Sequence, residues 1–262
     1  MAAKTTKTRK KAPRTFVLVH GMWHGGWCWK DVADILRARG HAVTAPTQTG
    51  LGERSHLMSK DITLDTFIGD IVNHLHWNEL EDVTLVGHSF AGAVILGVAD
   101  RAPHRLRRLI FLDGAVMDNA ETWFGKLPGD IADERLAAAQ ESSGGVSLPV
   151  GEPETFGVTE PDQVAHLKRL LTPHPLGTCT TPLILNAPPA NGVPVDYIAC
   201  TDPAYPPAAG SHKRARTLGW RMHELATGHD AMVSAPKATA DVLEKVAGTR
   251  AAIRRRSNRP ER

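Results

Sequence analysis

The sequence has no long apolar run, and this excludes several classes of protein. No stretch approaches the ~18 consecutive apolar residues that a membrane-spanning helix needs. The basic residues near the N-terminus are not followed by an apolar segment, so no secretory signal peptide is predicted. We therefore predict a cytoplasmic protein without a membrane partner.

Cysteine is scarce, and the common metal-binding motifs are missing. The chain has three cysteines, Cys28, Cys179 and Cys200, with no C-x-x-C spacing, so reduced thiols are expected. There is no His-Glu-x-x-His pattern, and His74 and His76 are too close in sequence to share one face of a helix. The sequence accordingly predicts neither a metal nor a cofactor.

Positive charge is concentrated at the two ends of the chain. The formal net charge is +3, and runs of lysine and arginine lie within 4–14 and 250–262. Neither end shows apolar periodicity or aromatic residues between its charges, which favours disorder over nucleic-acid binding. We predict basic disordered tails at 1–14 and 249–262, a single domain at 15–248, and no nucleic-acid partner.

Between these ends, strand-like and helix-like segments alternate. Apolar, β-branched runs predict buried strands, and a 3.6-residue apolar period predicts helices. Because this alternation implies a mostly parallel sheet with helices on both faces, we predict an α/β fold with about six strands and a ligand site beyond their carboxyl ends. The predicted strands are 16–19, 41–45, 83–86, 109–112, 197–200 and 222–225, and the helices are 29–39, 63–80, 90–99 and a C-terminal helix.

The segment at 115–195 interrupts this alternation. It has scattered prolines and helical stretches at 130–140 and 161–171, and it is too long for a plain connection. We therefore predict a helical cap, inserted over the site after the strand that ends near Leu112. Its apolar residues are candidates for a substrate pocket, although each could equally join the cap to the core: Met117, Trp123, Phe124, Phe156, Leu176 and Leu183.

Ser89 lies at the joint between a buried strand and a buried helix. The sequence Gly-His-Ser-Phe-Ala-Gly at 87–92 follows one apolar run and begins another. So short a connection forces its central residue into a strained turn, and small neighbours are needed for the backbones to pass closely. A serine at a helix start is more often an N-cap than a nucleophile. The rest of the chain, however, has partners for a nucleophilic serine in the required order.

Two loops have the partners that a nucleophilic serine requires. An oxyanion hole comes from an earlier loop, and a histidine follows late in the chain. The glycine-rich loop at 20–27 directly follows the first predicted strand, so the backbone N–H groups of Met22 and Phe90 are the predicted oxyanion donors. The loop Gly-His-Asp at 228–230 follows the last predicted strand, which makes His229 the candidate base.

Several separate motifs resemble one enzyme family in the same order and spacing. They are Phe-Val-Leu-Val-His-Gly at 16–21, His-Gly-Gly-Trp at 24–27, Gly-His-Ala-Val-Thr-Ala at 40–45, Val-Gly-His-Ser at 86–89 and Gly-His-Asp-Ala-Met at 228–232. The chain resembles the α/β-hydrolases of the plant-type methylesterase and hydroxynitrile lyase group, including their bacterial esterase relatives. This resemblance covers 16 to about 247 and implies the α/β-hydrolase fold.

The acidic partner of His229 is the least determined residue of the site. Asp202 follows the strand 197–200, close to where relatives carry their aspartate, although the loop here is shortened. Asp113 is the alternative, because some hydrolases of this fold carry the acid after the strand that follows the nucleophile. Asp196 precedes its strand and would lie at the wrong end of the sheet. We predict Ser89, His229 and Asp202 as the catalytic residues.

Small differences within the group favour an esterase over a lyase. Hydroxynitrile lyases of this type typically carry threonine, glutamate and lysine at the positions of Gly21, His88 and Asp230. That lysine stabilises cyanide by its charge, whereas an anionic Asp230 would oppose it. Gly21 and His88 are predicted to line the substrate pocket together with Trp123 and Phe124.

These observations together predict a serine carboxylic-ester hydrolase. It would act on small hydrophobic or aromatic esters through an acyl-enzyme. The alternatives are lyase-like C–C cleavage, a non-catalytic small-ligand receptor on the same fold, and a cofactor-independent oxygenase. The expected partner is a small-molecule ester, and a homodimer is a common state of such enzymes.

Overall fold

The computed structural model describes residues 12–127 and 129–249. Most of the predicted basic tails therefore lie outside the described residues, and their disorder stays a prediction. Arg14 is partly buried, and the carbonyl oxygen of Thr249 accepts a hydrogen bond of 2.8 Å from Arg108. The folded part of the chain thus reaches both of these positions.

Among the described residues, six parallel strands form the central sheet, in agreement with the predicted fold class. Their order across the sheet is β2-β1-β3-β4-β7-β8, and β5 and β6 form a separate antiparallel pair. The strands are β1 Thr15–Val19, β2 Ala42–Thr44, β3 Val83–His88, β4 Leu106–Leu112, β5 Ser147–Leu148, β6 His174–Pro175, β7 Val195–Cys200 and β8 Arg221–Leu225.

Helices follow most of the strands, and the predicted helices and strands outside the cap are present, with ends that shift by three residues or fewer. Within the described ranges, none of the helices is both long enough and apolar enough to cross a membrane. The helices are α1 Lys30–Ala38, α2 Leu64–Trp77, α3 Ala91–Arg101, α4 Gly129–Ser143, α5 Pro161–Leu170, α6 Gly177–Thr180, α7 Ala209–Thr217, α8 Ala231–Ser234 and α9 Pro236–Gly248.

Both faces of the sheet are covered, which explains why its inner strands β1 and β3 are buried and largely apolar. In β1, Val17 and Val19 belong to the apolar cluster formed with α2 and α3. The alternate residues Phe16 and Leu18 belong to the cluster formed with α1 and α9. Because successive side chains of a strand point to opposite faces, β1 contributes to two apolar layers. This leaves the carboxyl ends of the strands as the place for polar chemistry.

The predicted cap is present between β4 and β7. It contains α4, α5 and α6 together with the short β5–β6 pair. Helices α4 and α5 coincide with the predicted helical stretches at 130–140 and 161–171. Because β4 and β7 are neighbours in the sheet, the chain leaves and re-enters the sheet at adjacent positions. The cap is therefore anchored beside the end of the strand that follows Ser89.

Asp196 lies near the amino end of β7, away from Ser89, but within the strand and not before it. Its carboxylate is fully buried and pairs with the buried Arg108. It also contacts His223 Nε2 at 2.7 Å and Arg221 Nε at 3.1 Å. A buried carboxylate needs such partners to offset its loss of hydration. Asp196 thus has a structural role.

Candidate active site

Ser89 lies in a strained turn between β3 and α3. Its φ angle is 52°, in the left-handed region that residues other than glycine rarely adopt. Its N–H donates to the carbonyl of Leu112 at 3.2 Å, and its carbonyl accepts from Ala115 N–H at 2.8 Å. A Cβ atom at Gly92 would overlap the backbone of Ala115, so glycine is required there. The turn has the conformation expected of a nucleophile elbow.

The structure brings Ser89 and His229 together, as the sequence predicts. Ser89 Oγ lies 2.8 Å from His229 Nε2, and His229 Nδ1 lies 2.6 Å from Asp113 Oδ2. His229 and Asp113 are both buried. A hydroxyl, an imidazole and a carboxylate in this order form the arrangement that activates a serine as a nucleophile.

Asp202 is not brought to His229, and this corrects the predicted acid. Strand β7 ends at Cys200, and a bridge between Thr201 and Ala204 closes a tight turn directly after it. Asp202 lies within this turn and is exposed to solvent. The shortened loop therefore directs its carboxylate away from the buried imidazole.

Asp113 takes the position beside His229 because of the register between β4 and β7. Leu112 pairs with Ile198, which places Asp113 level with the last residues of β7. The N–H of Cys200 donates to Asp113 Oδ1 at 3.2 Å, and Asp113 has a φ angle of 48°. The alternative acid of the sequence analysis is therefore the one that contacts the histidine.

His212 is part of the same network, and the sequence analysis did not find it. It lies on α7, and its Nε2 is 2.6 Å from Asp113 Oδ1. Burial opposes ionisation of Asp113, but the hydrogen bonds from His212 and His229 outweigh it and lower the pKa of Asp113 to about 2. The segment of α7 is basic and only weakly amphipathic, so the sequence offers no signal for this contact.

A second buried network lies behind His229. His24 Nε2 and Asp230 Oδ2 are 3.1 Å apart and form an ion pair, but the angles at these atoms lie outside the range of a hydrogen bond. Burial opposes both charges, but their attraction raises the pKa of His24 and lowers that of Asp230. His88 Nε2 donates to the carbonyl of His229 at 3.0 Å, and burial lowers the pKa of His88 to about 3, so its ring is neutral. These groups fix the backbone on which His229 lies.

Two backbone N–H groups are free to bind an anion beside Ser89. Among the backbone hydrogen bonds of residues 12–127 and 129–249, neither Met22 nor Phe90 donates its N–H. His24 fixes the loop of Met22, because its Nδ1 donates to the Met22 carbonyl at 2.7 Å. Both residues flank Ser89 as the sequence predicts, since a Cβ at the adjoining Gly21 would lie 2.8 Å from Ser89 Cβ.

Ser89 and His229 face a cavity of about 440 Å³, which we call the site cavity. Of the predicted pocket residues, His88, Trp123 and Phe156 line it, whereas Met117, Leu176 and Leu183 pack in the apolar core. Phe124 is buried in the core, and Gly21 packs against Ser89 without lining the cavity. The other residues of its wall come from the glycine-rich loop after β1, the cap, the start of α7 with the segment before it, and the loop of His229: Met22, Trp23, His24, Lys126, Leu127, Ile131, Arg135, Tyr205, Pro206, Pro207, Gly210 and Asp230.

One group of residues has the atoms to hold a cation. Nitrogen or oxygen atoms of His88, His229 and Asp230 lie within 4.8 Å of one another. Both ring nitrogens of His229, however, are hydrogen bonded to Ser89 and Asp113. Binding of a metal through His229 would break this chain, so the group fits a proton-transfer site better than a metal site.

Comparisons with known proteins identify the family of this chain. The profile of the alpha/beta hydrolase family matches residues 16–242. The chain is 37% identical over 238 residues to a carbendazim hydrolyzing esterase from Nocardioides sp., covering 87% of this chain and 97% of that protein. It is 30% identical over 140 residues to an alpha-hydroxynitrile lyase from Arabidopsis thaliana, covering 51% of this chain and 54% of the lyase.

A solved structure is also similar over most of the chain. It is an extracellular alpha/beta-hydrolase from a Paenibacillus species, described as sharing structural and functional homology with tobacco salicylic acid binding protein 2. The TM-score is 0.80 at 25% identity, covering 91% of this chain and 100% of that one. The chain therefore belongs to the alpha/beta hydrolase family. The predicted class, an ester-cleaving enzyme, is confirmed by these relatives.

Proposed function

We propose that this protein is a serine carboxylic-ester hydrolase that acts on small aromatic or hydrophobic esters through an acyl-enzyme. One observation carries the proposal. Ser89, His229 and Asp113 form a continuous hydrogen-bonded chain that ends at the site cavity. Asp113 replaces Asp202 as the acid in this proposal.

Each member of the chain has a separate part in the reaction. Ser89 Oγ attacks the ester carbonyl while His229 Nε2 takes its proton, and the same nitrogen then protonates the leaving alcohol. Asp113 remains ionised, holds the imidazole orientation and stabilises the imidazolium. Water then attacks the acyl-enzyme by the reverse proton transfers, which releases the acid and restores Ser89.

The oxyanion of the tetrahedral intermediate is placed between Met22 and Phe90. The free N–H of Met22 lies on the glycine-rich loop after β1, and the free N–H of Phe90 lies at the start of α3. Donors fixed by the fold need no reorganisation during the reaction. Each donor commonly stabilises the transition state by roughly 3 to 4 kcal/mol. The His24 contact with the Met22 carbonyl supports this preorganisation.

The walls of the site cavity favour a flat apolar substrate. Trp23, Trp123 and Phe156 present aromatic surface beside Ser89 and His229. A cavity of about 440 Å³ suits a substrate with one or two rings. Because the Nocardioides relative is named for hydrolysis of carbendazim, that compound belongs among the test substrates.

Asp230 favours the esterase over a hydroxynitrile lyase. Its carboxylate is buried against the site, and its pKa is lowered, so it is anionic at neutral pH. A carboxylate paired with His24 supplies no positive charge to stabilise the cyanide that a lyase releases beside His229. Rapid release of cyanide from mandelonitrile would contradict this ranking.

The proposal is tested with a panel of p-nitrophenyl and methyl esters, with carbendazim included. Wild-type protein should hydrolyse a subset, and Ser89→Ala should lose roughly 10⁴-fold or more of the turnover. Ser55→Ala removes an exposed serine and is the matched control. Treatment with a fluorophosphonate should phosphonylate Ser89 Oγ with loss of fluoride, which adds the mass of the reagent less HF. Tight binding of the esters without turnover would instead indicate a receptor.

A further inference from the structure

Arg135 lies at the boundary between two cavities under the cap. It lines the site cavity, and it also lines a neighbouring cavity of about 540 Å³, which we call the cap cavity. Trp23, Phe156 and Tyr205 line both cavities as well. The two spaces therefore adjoin, and Arg135 presents its charge where a substrate longer than one ring would pass from one to the other.

Arg135 has no counter-ion. Its side chain forms no ion pair or hydrogen bond with any residue in the described parts of the chain. On its own helix the residues three and four positions away are Ile131, Ala132, Ala138 and Ala139, and the adjacent Glu134 lines the cap cavity without forming an ion pair with it. An unpaired guanidinium on a largely apolar wall is available for a ligand.

The other charges of the site cavity are already paired. Lys126 Nζ lies 2.9 Å from a carboxylate oxygen of Glu121. Asp230 lies 3.1 Å from His24 Nε2. Of the charged residues on this wall, Arg135 is thus the one that a substrate can neutralise.

Arg135 and Tyr205 line the same two cavities, and Tyr205 contacts a reacting group. The Tyr205 ring stacks on the His229 ring with centroids 4.1 Å apart. Burial raises the pKa of Tyr205, and the positive charge of Arg135 partly opposes that rise, so the guanidinium acts on the Tyr205 phenol. A group bound by Arg135 would therefore lie in the same cavity as the substrate atoms next to His229.

We propose that Arg135 binds a carboxylate, or another anionic group, carried by the substrate at some distance from the scissile ester. This inference rests on the proposed esterase activity and narrows its substrates to aromatic esters with a distal anion. A guanidinium suits this role because its planar N–H groups match two oxygens of a carboxylate at once. The aromatic walls would hold the ring between the ester and the anion.

Two matched pairs of esters test the proposal. Monomethyl terephthalate and methyl 4-carbamoylbenzoate differ in a carboxylate against a neutral amide on the acid part. The pair 4-acetoxybenzoate and 4-acetoxybenzamide differ in the same way on the alcohol part. Wild-type kcat/KM should favour the anionic member of at least one pair by roughly 10-fold or more. Equal or better hydrolysis of the neutral member in both pairs would overturn the proposal.

Variants separate a specific contact from general electrostatics. Arg135→Gln should remove the preference for the anion by lowering kcat/KM for the anionic ester far more than kcat/KM for the neutral ester. Arg135→Lys should keep part of the preference. Arg169→Gln removes a positive charge from an exposed position on α5 of the cap, outside both cavities. This variant should keep the full preference for the anionic ester. A preference that survives in Arg135→Gln would contradict the proposal.

Binding measurements keep the inference testable if no ester in the panel is hydrolysed. Calorimetric titration with benzoate and benzamide should give tighter binding of benzoate to wild type, and Arg135→Gln should lose most of this difference. Failure of hydrolysis alone contradicts the proposed function. Failure of wild type to distinguish benzoate from benzamide in that case contradicts the role of Arg135.

Discussion

Asp113 and His212 are joined by a hydrogen bond of 2.6 Å between Oδ1 and Nε2. The other oxygen of the same carboxylate contacts His229. One carboxylate is thus held between two imidazoles, and only one of these faces Ser89. Because hydrogen bonds to the charged form favour ionisation, this arrangement keeps Asp113 anionic despite its burial, which lets it orient His229.

Asp113→Asn should lower kcat by roughly 10³- to 10⁴-fold, because an amide cannot stabilise the imidazolium and favours the wrong imidazole tautomer. Asp202→Asn is the matched control, since it makes the same chemical change on an exposed turn. That variant should stay within about twofold of wild type. Steady-state hydrolysis of p-nitrophenyl acetate by both variants decides between the two aspartates. Loss of activity in Asp202→Asn alone would restore the original assignment.

His212→Asn should weaken both the reaction and the fold by a smaller amount. The pKa of Asp113 is depressed in the folded state, so its ionisation stabilises the fold above its unfolded pKa of about 4, and that contribution is lost as the pH falls towards 2. Without His212 the folded pKa rises and part of this contribution disappears. We expect about 1 to 2 kcal/mol less stability at pH 7 and a several-fold lower kcat.

Urea unfolding of His212→Asn and wild type at several pH values measures this effect. The difference between the two proteins should shrink as the pH falls from 5 towards 2. His104→Asn removes an exposed histidine and should show no difference at any pH. A constant difference would mean that His212 only packs against Tyr197, whose ring centroid lies 5.4 Å away.

The sequence predicted the parts of this site that depend on local pattern. The elbow at Ser89 and the loop with His229 each follow an apolar strand, so their place at the carboxyl edge of the sheet could be read directly. Local pattern could not show whether Asp113 or Asp202 is the acid beside His229. The choice depends on the register of β4 with β7 and on the turn after Cys200, which are set by packing between distant segments.

His212 and Arg135 were missed for a related reason. Each is a single polar residue on a helix that packs against the site from outside the sheet. The spacing of neighbouring residues gives no signal for His212 or Arg135. Their roles depend on how α7 and the cap pack against the carboxyl ends of the strands. Spacing within a segment cannot report contacts of this kind.

Gly21→Ala should reduce activity by roughly 100-fold with little loss of structure. A Cβ at this position would lie 2.8 Å from Ser89 Cβ, so either the nucleophile or the loop with the Met22 N–H must move. A shift of about 1 Å in such groups is enough for a loss of this size. Gly69→Ala is the control, since a Cβ on that helical glycine meets nothing within 4 Å. Hydrolysis rates and circular dichroism of both variants test this, and full activity in Gly21→Ala would contradict it.

The stability of the protein should fall steeply as the pH drops below about 6.5. Burial lowers the pKa of His20, His88 and His174 to about 3, so these rings are neutral in the folded protein. In the unfolded chain they bind protons below about 6.5. The unfolded state then holds more protons, and each histidine removes roughly 1.4 kcal/mol of stability per pH unit between these values.

The neutral state of these histidines is tested by how the free energy of unfolding changes with pH, and not by its value at one pH. His174→Asn should lower the slope of unfolding free energy against pH, measured with urea from pH 7 to 4.5, by roughly 1.4 kcal/mol per unit. His166→Asn changes an exposed histidine in the same way and should leave the slope as in wild type. Because His174 contacts the rings of Phe67 and Phe90, its loss will also lower stability at every pH. An unchanged slope in His174→Asn would show that its ring is already charged in the folded protein.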